Sequence, residues 1–76
     1  MEELLRRIVS DPRVMAGRPV IRGTRITVDL ILQLLASGMK PEEIAEDYNI
    51  TLDDIRVALL YAAKVLSRDE VVEARA

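Results

Sequence analysis

From Thr27 onward, apolar residues recur at helical spacing in three runs separated by turn residues. In the first run Val28, Ile31, Leu32 and Leu35 fall on one stripe. Thr27 offers a hydroxyl N-cap and Gly38 a C′ stop, which together predict a helix over residues 28–37. Leu30 and Leu34 add a second apolar face and leave only Asp29, Gln33 and Ser37 as a narrow wet side, so this helix is expected to be covered on two sides. The second run opens with Pro41 at the first helical position and Glu42-Glu43 in the first turn, where the helix dipole favours carboxylates. It reaches about Tyr48, with Ile44, Ala45 and Tyr48 facing inward, and Asn49-Ile50 makes a turn. Thr51 caps the third helix with Asp54 at N3, where a capping box carries Glu. Leu52, Ile55, Leu59, Ala62 and Leu66 form its expected inner stripe, and it should end near Ser67.

Upstream, Leu4, Leu5, Ile8 and Val9 share a possible helical face, but Ser10-Asp11-Pro12 stops any helix, so residues 7–10 read as a short strand. Residues 17–27, Gly-Arg-Pro-Val-Ile-Arg-Gly-Thr-Arg-Ile-Thr, read as a tight hairpin in which Gly23 supplies a positive φ at the turn between Pro19-Val20-Ile21 and Arg25-Ile26-Thr27. The fold class is therefore mostly α, a three-helix helix-turn-helix unit preceded by a short N-terminal β-hairpin. It is organised as a single domain: a hairpin arm (1–27), the helical unit (28–67) and a tail (68–76) that extends the last helix or frays.

Seventy-six residues with no cysteine, histidine, phenylalanine or tryptophan leave a thin aliphatic core and no disulfide or thiolate metal site to staple it. Self-association is the remaining staple. No window approaches the roughly 20 apolar residues of a membrane span, and Met1-Glu2-Glu3 is no signal-peptide start, so a cytoplasmic protein without a membrane partner is expected. The net charge of −2 conceals an asymmetry: residues 1–27 carry +3 and residues 28–76 carry −5. Residues 13–25 hold Arg13, Arg18, Arg22 and Arg25 and no acidic residue.

Guanidinium forks match carboxylate and phosphate bidentately, so Arg13, Arg18, Arg22 and Arg25, with Thr24 in the turn and Arg56 on the third helix, are the candidate residues for a protein or nucleic-acid partner. The alternative is a solvated rim that protects a sheet edge. A helix-turn-helix would present Thr51, Asp53, Asp54 and Arg56 to DNA bases; two of these are acidic and are repelled by phosphate, which argues against direct reading by this helix. On the helical wheel Val57, Leu60 and Tyr61 point away from the expected inner stripe, either toward a partner protein or toward the N-terminal segment of the same chain. Gly17 and Gly23 lack the GK[ST] or GxxG continuation of a phosphate loop. Glu42, Glu43, Glu46 and Asp47 spread across a solvated helix side and make no metal cluster. With no converging acid, base or nucleophile, no enzyme, cofactor, metal or small-molecule substrate is expected.

Asp11-Pro12, the run Gly17-Arg18-Pro19-Val20-Ile21-Arg22-Gly23-Thr24-Arg25-Ile26, and then Gly38, Pro41-Glu42-Glu43-Ile44 and Asp54-Ile55 resemble domain-of-unknown-function family 433, over about residues 8–64. The resemblance implies a homeodomain-like three-helix fold and a small prokaryotic antitoxin of a type II toxin-antitoxin system, whose usual partner is a toxin resembling a PIN-type ribonuclease and which represses its own operon in some cases. It implies no catalytic or ligand residues. On this reading the toxin contact takes in the arginine rim, Val57, Leu60 and Tyr61, and the tail residues Arg68 and Arg75, because a PIN-like site is a carboxylate cluster that binds Mg²⁺. A homodimer is expected through hairpin pairing between two chains, with Val20, Ile21, Ile26, Leu30 and Leu34 at the interface. A dimeric helix-turn-helix DNA-binding regulator and a non-catalytic structural interaction module are the alternatives.

Overall fold

The computed structural model describes residues 2–69. The chain runs α1 (Glu2–Leu5), β1 (Ile8–Val9), a 3₁₀ turn (Met15–Gly17), β2 (Val20–Ile21), α2 (Val28–Ala36), α3 (Pro41–Tyr48) and α4 (Leu52–Asp69). The fold is mostly helical with a short antiparallel pair of strands near the N-terminus, as the pattern predicts. The three main helices begin where their caps place them. Thr27 Oγ1 accepts from Leu30 N at 3.1 Å, and Lys40 N donates to Glu43 Oε1 at 2.9 Å behind Pro41. At α4 the box is reciprocal: Thr51 N donates to Asp54 Oδ2 and Asp54 N to Thr51 Oγ1, both at 3.0 Å. α3 ends on Asn49 in the left-handed region (φ 57°), a conformation asparagine tolerates better than most residues.

The strand expected around residues 7–10 is β1, and the hairpin strand β2 is its partner. β1 pairs antiparallel with β2 in the register Ile8↔Ile21 and Val9↔Val20. On its other edge β2 bridges Thr27, with Ile21 N donating to Ile26 O and Val28 N to Pro19 O. The hairpin turn is present: Thr24 N donates to Ile21 O at 2.9 Å around Gly23 at φ 83°. Both edges of β2 are thus used within the chain. Val20 and Ile21 are buried there, which corrects their assignment to a dimer interface, since a second chain would find neither their side chains nor their backbone groups available. Ile26, Leu30 and Leu34 are half-buried.

Two further expectations about the helices change. The one-turn α1 forms ahead of β1 and packs on α4. The inner face of α4 keeps Ile55 and, in part, Ala62 of the predicted stripe but not its leucines. Asp54, Ile55, Val57 and Ala58 are buried, whereas Leu52, Leu59 and Leu66 are 52%, 48% and 71% exposed. Val57 is fully enclosed, so its expected place on an outer contact surface is corrected. The cause is coverage: α1, β1, α2 and α3 all pack against α4 and turn its inward face toward the Asp54, Val57, Ala58, Tyr61 line, an i, i+3, i+4, i+7 series that begins with a charged residue. The core closes around Ile31, Ile44, Val57 and Ala58, with Leu4, Leu5 and Ile8 of the arm against it. Among the described residues no helix is long and apolar enough to cross a membrane.

Candidate functional site

Between β1 and the hairpin turn the chain opens a concavity of about 360 Å³, walled by Val9, Val14 and Val20 and rimmed by Arg13, Thr24 and Arg25. Its shape comes from the segment after β1. Val14 N donates to Asp11 O at 2.8 Å, and the chain then passes through three successive left-handed residues, Met15 (φ 50°), Ala16 (φ 57°) and Gly17 (φ 83°), before Gly17 N and Arg18 N close back on Val14 O and Met15 O. Left-handed backbone costs a residue with a Cβ about 1–2 kcal/mol, so the turn is held by its hydrogen bonds and by the flanking strands rather than by local preference.

The arginines of the arm have different tasks. Arg13 is clamped to Asp11: its backbone N, Nε and Nη2 donate to the carboxylate at 2.9, 3.1 and 3.1 Å. The Arg13 side chain, and then its backbone N–H, hold the Asp11 carboxyl below its ordinary pKa. The clamp fixes the Arg13 fork at the rim while leaving the side chain largely in solvent. Arg22 is a latch, donating from Nε and Nη2 to the Arg6 carbonyl at 3.1 and 2.7 Å, beside the 2.7 Å bond from Arg22 N to Arg7 O. Arg18 reaches Asp29 on α2 at 3.7 Å. Arg7, which sequence reasoning passed over, crosses to α4 and meets Asp54 at 3.0 Å.

These placements divide the candidate arginines. Arg18 lies toward α2 and Arg22 over the α1–β1 connection, while Arg13 and Arg25 share the concavity. Thr24 is internally occupied, its Oγ1 donating to Ile21 O at 2.8 Å and accepting from Ile26 N at 3.0 Å, so it secures the turn instead of standing free for a ligand. Arg25 is exposed, and among the described residues it has no hydrogen-bond or ion-pair partner. Arg56 on α4 pairs with Asp53 at 3.5 Å.

A second, apolar groove of about 290 Å³ runs between α2 and α4 beneath Pro19, lined by Val28, Leu32, Tyr61, Ala62 and Val65. Tyr61 and Leu60 are half-buried, Tyr61 on this groove. The side chain of Arg68 and the whole of Arg75 lie outside the described residues. The helix-turn-helix pair α3–α4 is present, but the acidic start of its second helix is engaged: Asp54 in the cap and with Arg7, Asp53 with Arg56. Signals for the two missed ion-pair partners were present as single charged residues, Arg7 before a strand and Asp29 in a first helical turn, but the partners they take, Asp54 and Arg18, are 47 and 11 residues away, beyond helical reach.

Comparison with known proteins places this geometry. A protein of Sinorhizobium fredii, "Uncharacterized protein y4eO", is 34% identical over 56 residues, covering 72% of this chain and 25% of its own length. "Putative antitoxin VapB45" of Mycobacterium tuberculosis is 38% identical over 52 residues, covering 68% of this chain and 22% of its own. The crystal structure of Rv2018 from Mycobacterium tuberculosis superimposes with a TM-score of 0.63 at 38% identity, over 68% of this chain and 24% of that one. The chain thus spans about a quarter of the length of the relatives it matches. The model of the family described as "Protein of unknown function (DUF433)" matches residues 8–62, from β1 through the buried part of α4, and the chain belongs to that family.

Proposed function

We propose that this chain is an antitoxin-type protein that binds and neutralises a ribonuclease toxin of the PIN-like kind. The observation that carries the reading is the kinship, at 38% identity, with a protein named as an antitoxin. The geometry supports one surface for the contact. Arg25 and the Asp11-clamped Arg13 stand at the rim of a concavity with apolar walls, an arrangement suited to entering an acidic cleft. A PIN-like active site is a cluster of carboxylates that binds Mg²⁺, and a guanidinium fork placed among them competes with the ion by charge and by bidentate hydrogen bonding. Arg25 supplies the free fork, whereas Arg13 already donates from Nε and Nη2 to Asp11 and frames the rim beside it.

Autoregulation through DNA is a second reading, favoured by the α3–α4 layout. The outer face of α4 opposes it, because Leu52, Leu59 and Leu66 stand where a DNA reader carries polar side chains. Arg13 and Arg25 then remain as phosphate contacts, and binding to duplex DNA should weaken steeply with salt.

Co-expression with the product of the adjacent gene tests the antitoxin reading. A stable complex is expected to co-purify with the tagged chain and to restore growth to cells in which the neighbouring protein alone is toxic. Failure of both outcomes removes the reading.

A further inference from the structure

The β1–β2 pair divides its side chains between two environments. Ile8 and Ile21 pack on the helical core, whereas Val9 and Val20 stand on the opposite face, where the next residue of a strand must point. Val20 is 2% exposed yet is not among the residues of the helical core; it is the floor of the concavity, with Val9 and Val14 as walls. The chain uses disfavoured backbone to build that wall. Val14 O accepts from Gly17 N at 3.0 Å across the left-handed Met15 and Ala16, and Val14 N is tied to Asp11 O. Ala16 is exposed, so burial of its own side chain does not explain the conformation. Strained backbone that the surrounding structure holds in place is characteristic of ligand clamps.

The lining selects the occupant. A hollow of about 360 Å³ lies near the lower end of the range of ligand sites, about 300–1,000 Å³, and suits one large side chain with the residues beside it. Asp11, Arg13 and Arg25 give its rim two guanidiniums and one carboxylate, a net charge of +1. Arg13 already holds Asp11, so Arg25 is left to meet a single anion. Nucleic acid fits this poorly. One net positive charge offers little to a run of phosphates, a phosphate has no apolar extension to cover the valines, and no aromatic side chain lines the hollow for a base to stack on. A protein segment supplies both the charge and the apolar group. Resting on the reading of this concavity as the partner contact, we propose that it recognises an acidic residue next to a large aliphatic residue on the partner protein. The aliphatic side chain seats between Val9, Val14 and Val20, and the neighbouring carboxylate pairs bidentately with Arg25.

The two halves of the contact respond differently to salt. Burial of the aliphatic side chain is insensitive to screening, while the Arg25 pair at the exposed rim is screened and serves orientation and choice of partner. Affinity should therefore fall only modestly as salt rises, in contrast to the steep loss that phosphate contacts produce.

Selection of a random heptapeptide phage library on the immobilised full chain tests the pairing without the toxin. The expected winners place an aspartate or glutamate next to a leucine, isoleucine or methionine. A selected peptide, labelled and followed by fluorescence anisotropy, should bind about tenfold more weakly, or worse, to Arg25→Glu and to Val14→Phe, whose ring fills the hollow. The same loss is expected when the aliphatic residue of the peptide is replaced by glycine. Val9→Thr keeps the shape of the wall and adds a hydroxyl, so it serves where Val14→Phe disturbs the arm; it should weaken binding several-fold with an unchanged circular dichroism spectrum. Winners that carry carboxylates without an aliphatic neighbour, basic winners, no winners, or a selected peptide that binds Val14→Phe and Val9→Thr undiminished all overturn the proposal. A duplex oligonucleotide that binds the chain and is released by Arg25→Glu gives the hollow to phosphate and overturns it as well. Failure here is distinguishable from failure of the antitoxin reading. A toxin neutralised equally well by Val14→Phe and by the unmodified chain leaves that reading standing and removes the seat for the aliphatic side chain, whereas peptides of the expected kind without a neutralised toxin do the reverse.

Discussion

Replacing Val57 by aspartate is expected to abolish the folded state, whereas Leu59→Asp, two residues further on, should leave the fold intact. Val57 is fully enclosed among Ile31, Ile44 and Ala58, where a carboxylate finds neither water nor a partner. An unpaired buried charge costs more than about 4 kcal/mol, and a chain of this size has only about 3–5 kcal/mol in total. Far-UV circular dichroism during a urea titration should therefore show no cooperative transition for Val57→Asp. The change at Leu59, 48% exposed, should cost the fold less than about 1 kcal/mol. The reverse ranking, with Leu59→Asp the disruptive variant, would return α4 to the orientation that its leucine spacing alone predicts.

Asp54→Ala should have the next largest effect, about 2–3 kcal/mol. Asp54 is 7% exposed, and its carboxylate accepts from Thr51 N and from Arg7 Nη1, both at 3.0 Å. Loss of the capping interaction accounts for about 1 kcal/mol. The rest comes from the charge-assisted bond to Arg7, discounted because that guanidinium is 42% exposed and can turn to water. Arg7→Ala alone should cost about 1 kcal/mol, since Asp54 keeps its cap. The double variant should lose less than the sum of the two, because the Arg7–Asp54 bond can be lost only once. The urea midpoints of the four chains measure this, and strict additivity would show that the arm and α4 are not coupled through this pair.

This pair also shows why α4 is harder to read from sequence than α2 or α3. Caps are local, so Thr27, Pro41 and Thr51 disclose helix starts within a residue or two. The buried line of α4 opens with a carboxylate, and hydropathy alone gives that position to solvent, handing the inner face to the leucines of the neighbouring heptad stripe. The local cap at Thr51 satisfies one carboxylate oxygen of Asp54, and the other is met by a partner 47 residues away, Arg7, which no local pattern discloses. The same non-locality hides the β1–β2 pairing: the turn at Gly23 is visible in Arg22-Gly23-Thr24, but nothing adjacent to Ile8-Val9 indicates that they complete the sheet.

At the candidate site the sequence makes the cationic character legible and leaves the allocation hidden. Four arginines without an acidic residue among them look equivalent until Asp11, two residues before Arg13, clamps it and the fold brings Asp29 to Arg18 and the Arg6 carbonyl to Arg22. What remains is Arg25, beside the rim-fixed Arg13. An excess of charge is thereby narrowed to one concavity and to two side chains whose reversal should separate binding from folding.

Titration of the chain into the purified toxin, with cleavage of a labelled RNA as the readout, tests most directly whether that concavity meets a ribonuclease. The unmodified chain should suppress cleavage stoichiometrically. Arg25→Glu, exposed and unpaired among the described residues, should keep its fold and lose at least tenfold in inhibitory strength, a change of about 1.4 kcal/mol. Cleavage undiminished by the unmodified chain, or inhibition unaltered by Arg25→Glu together with Arg13→Glu, would contradict that contact.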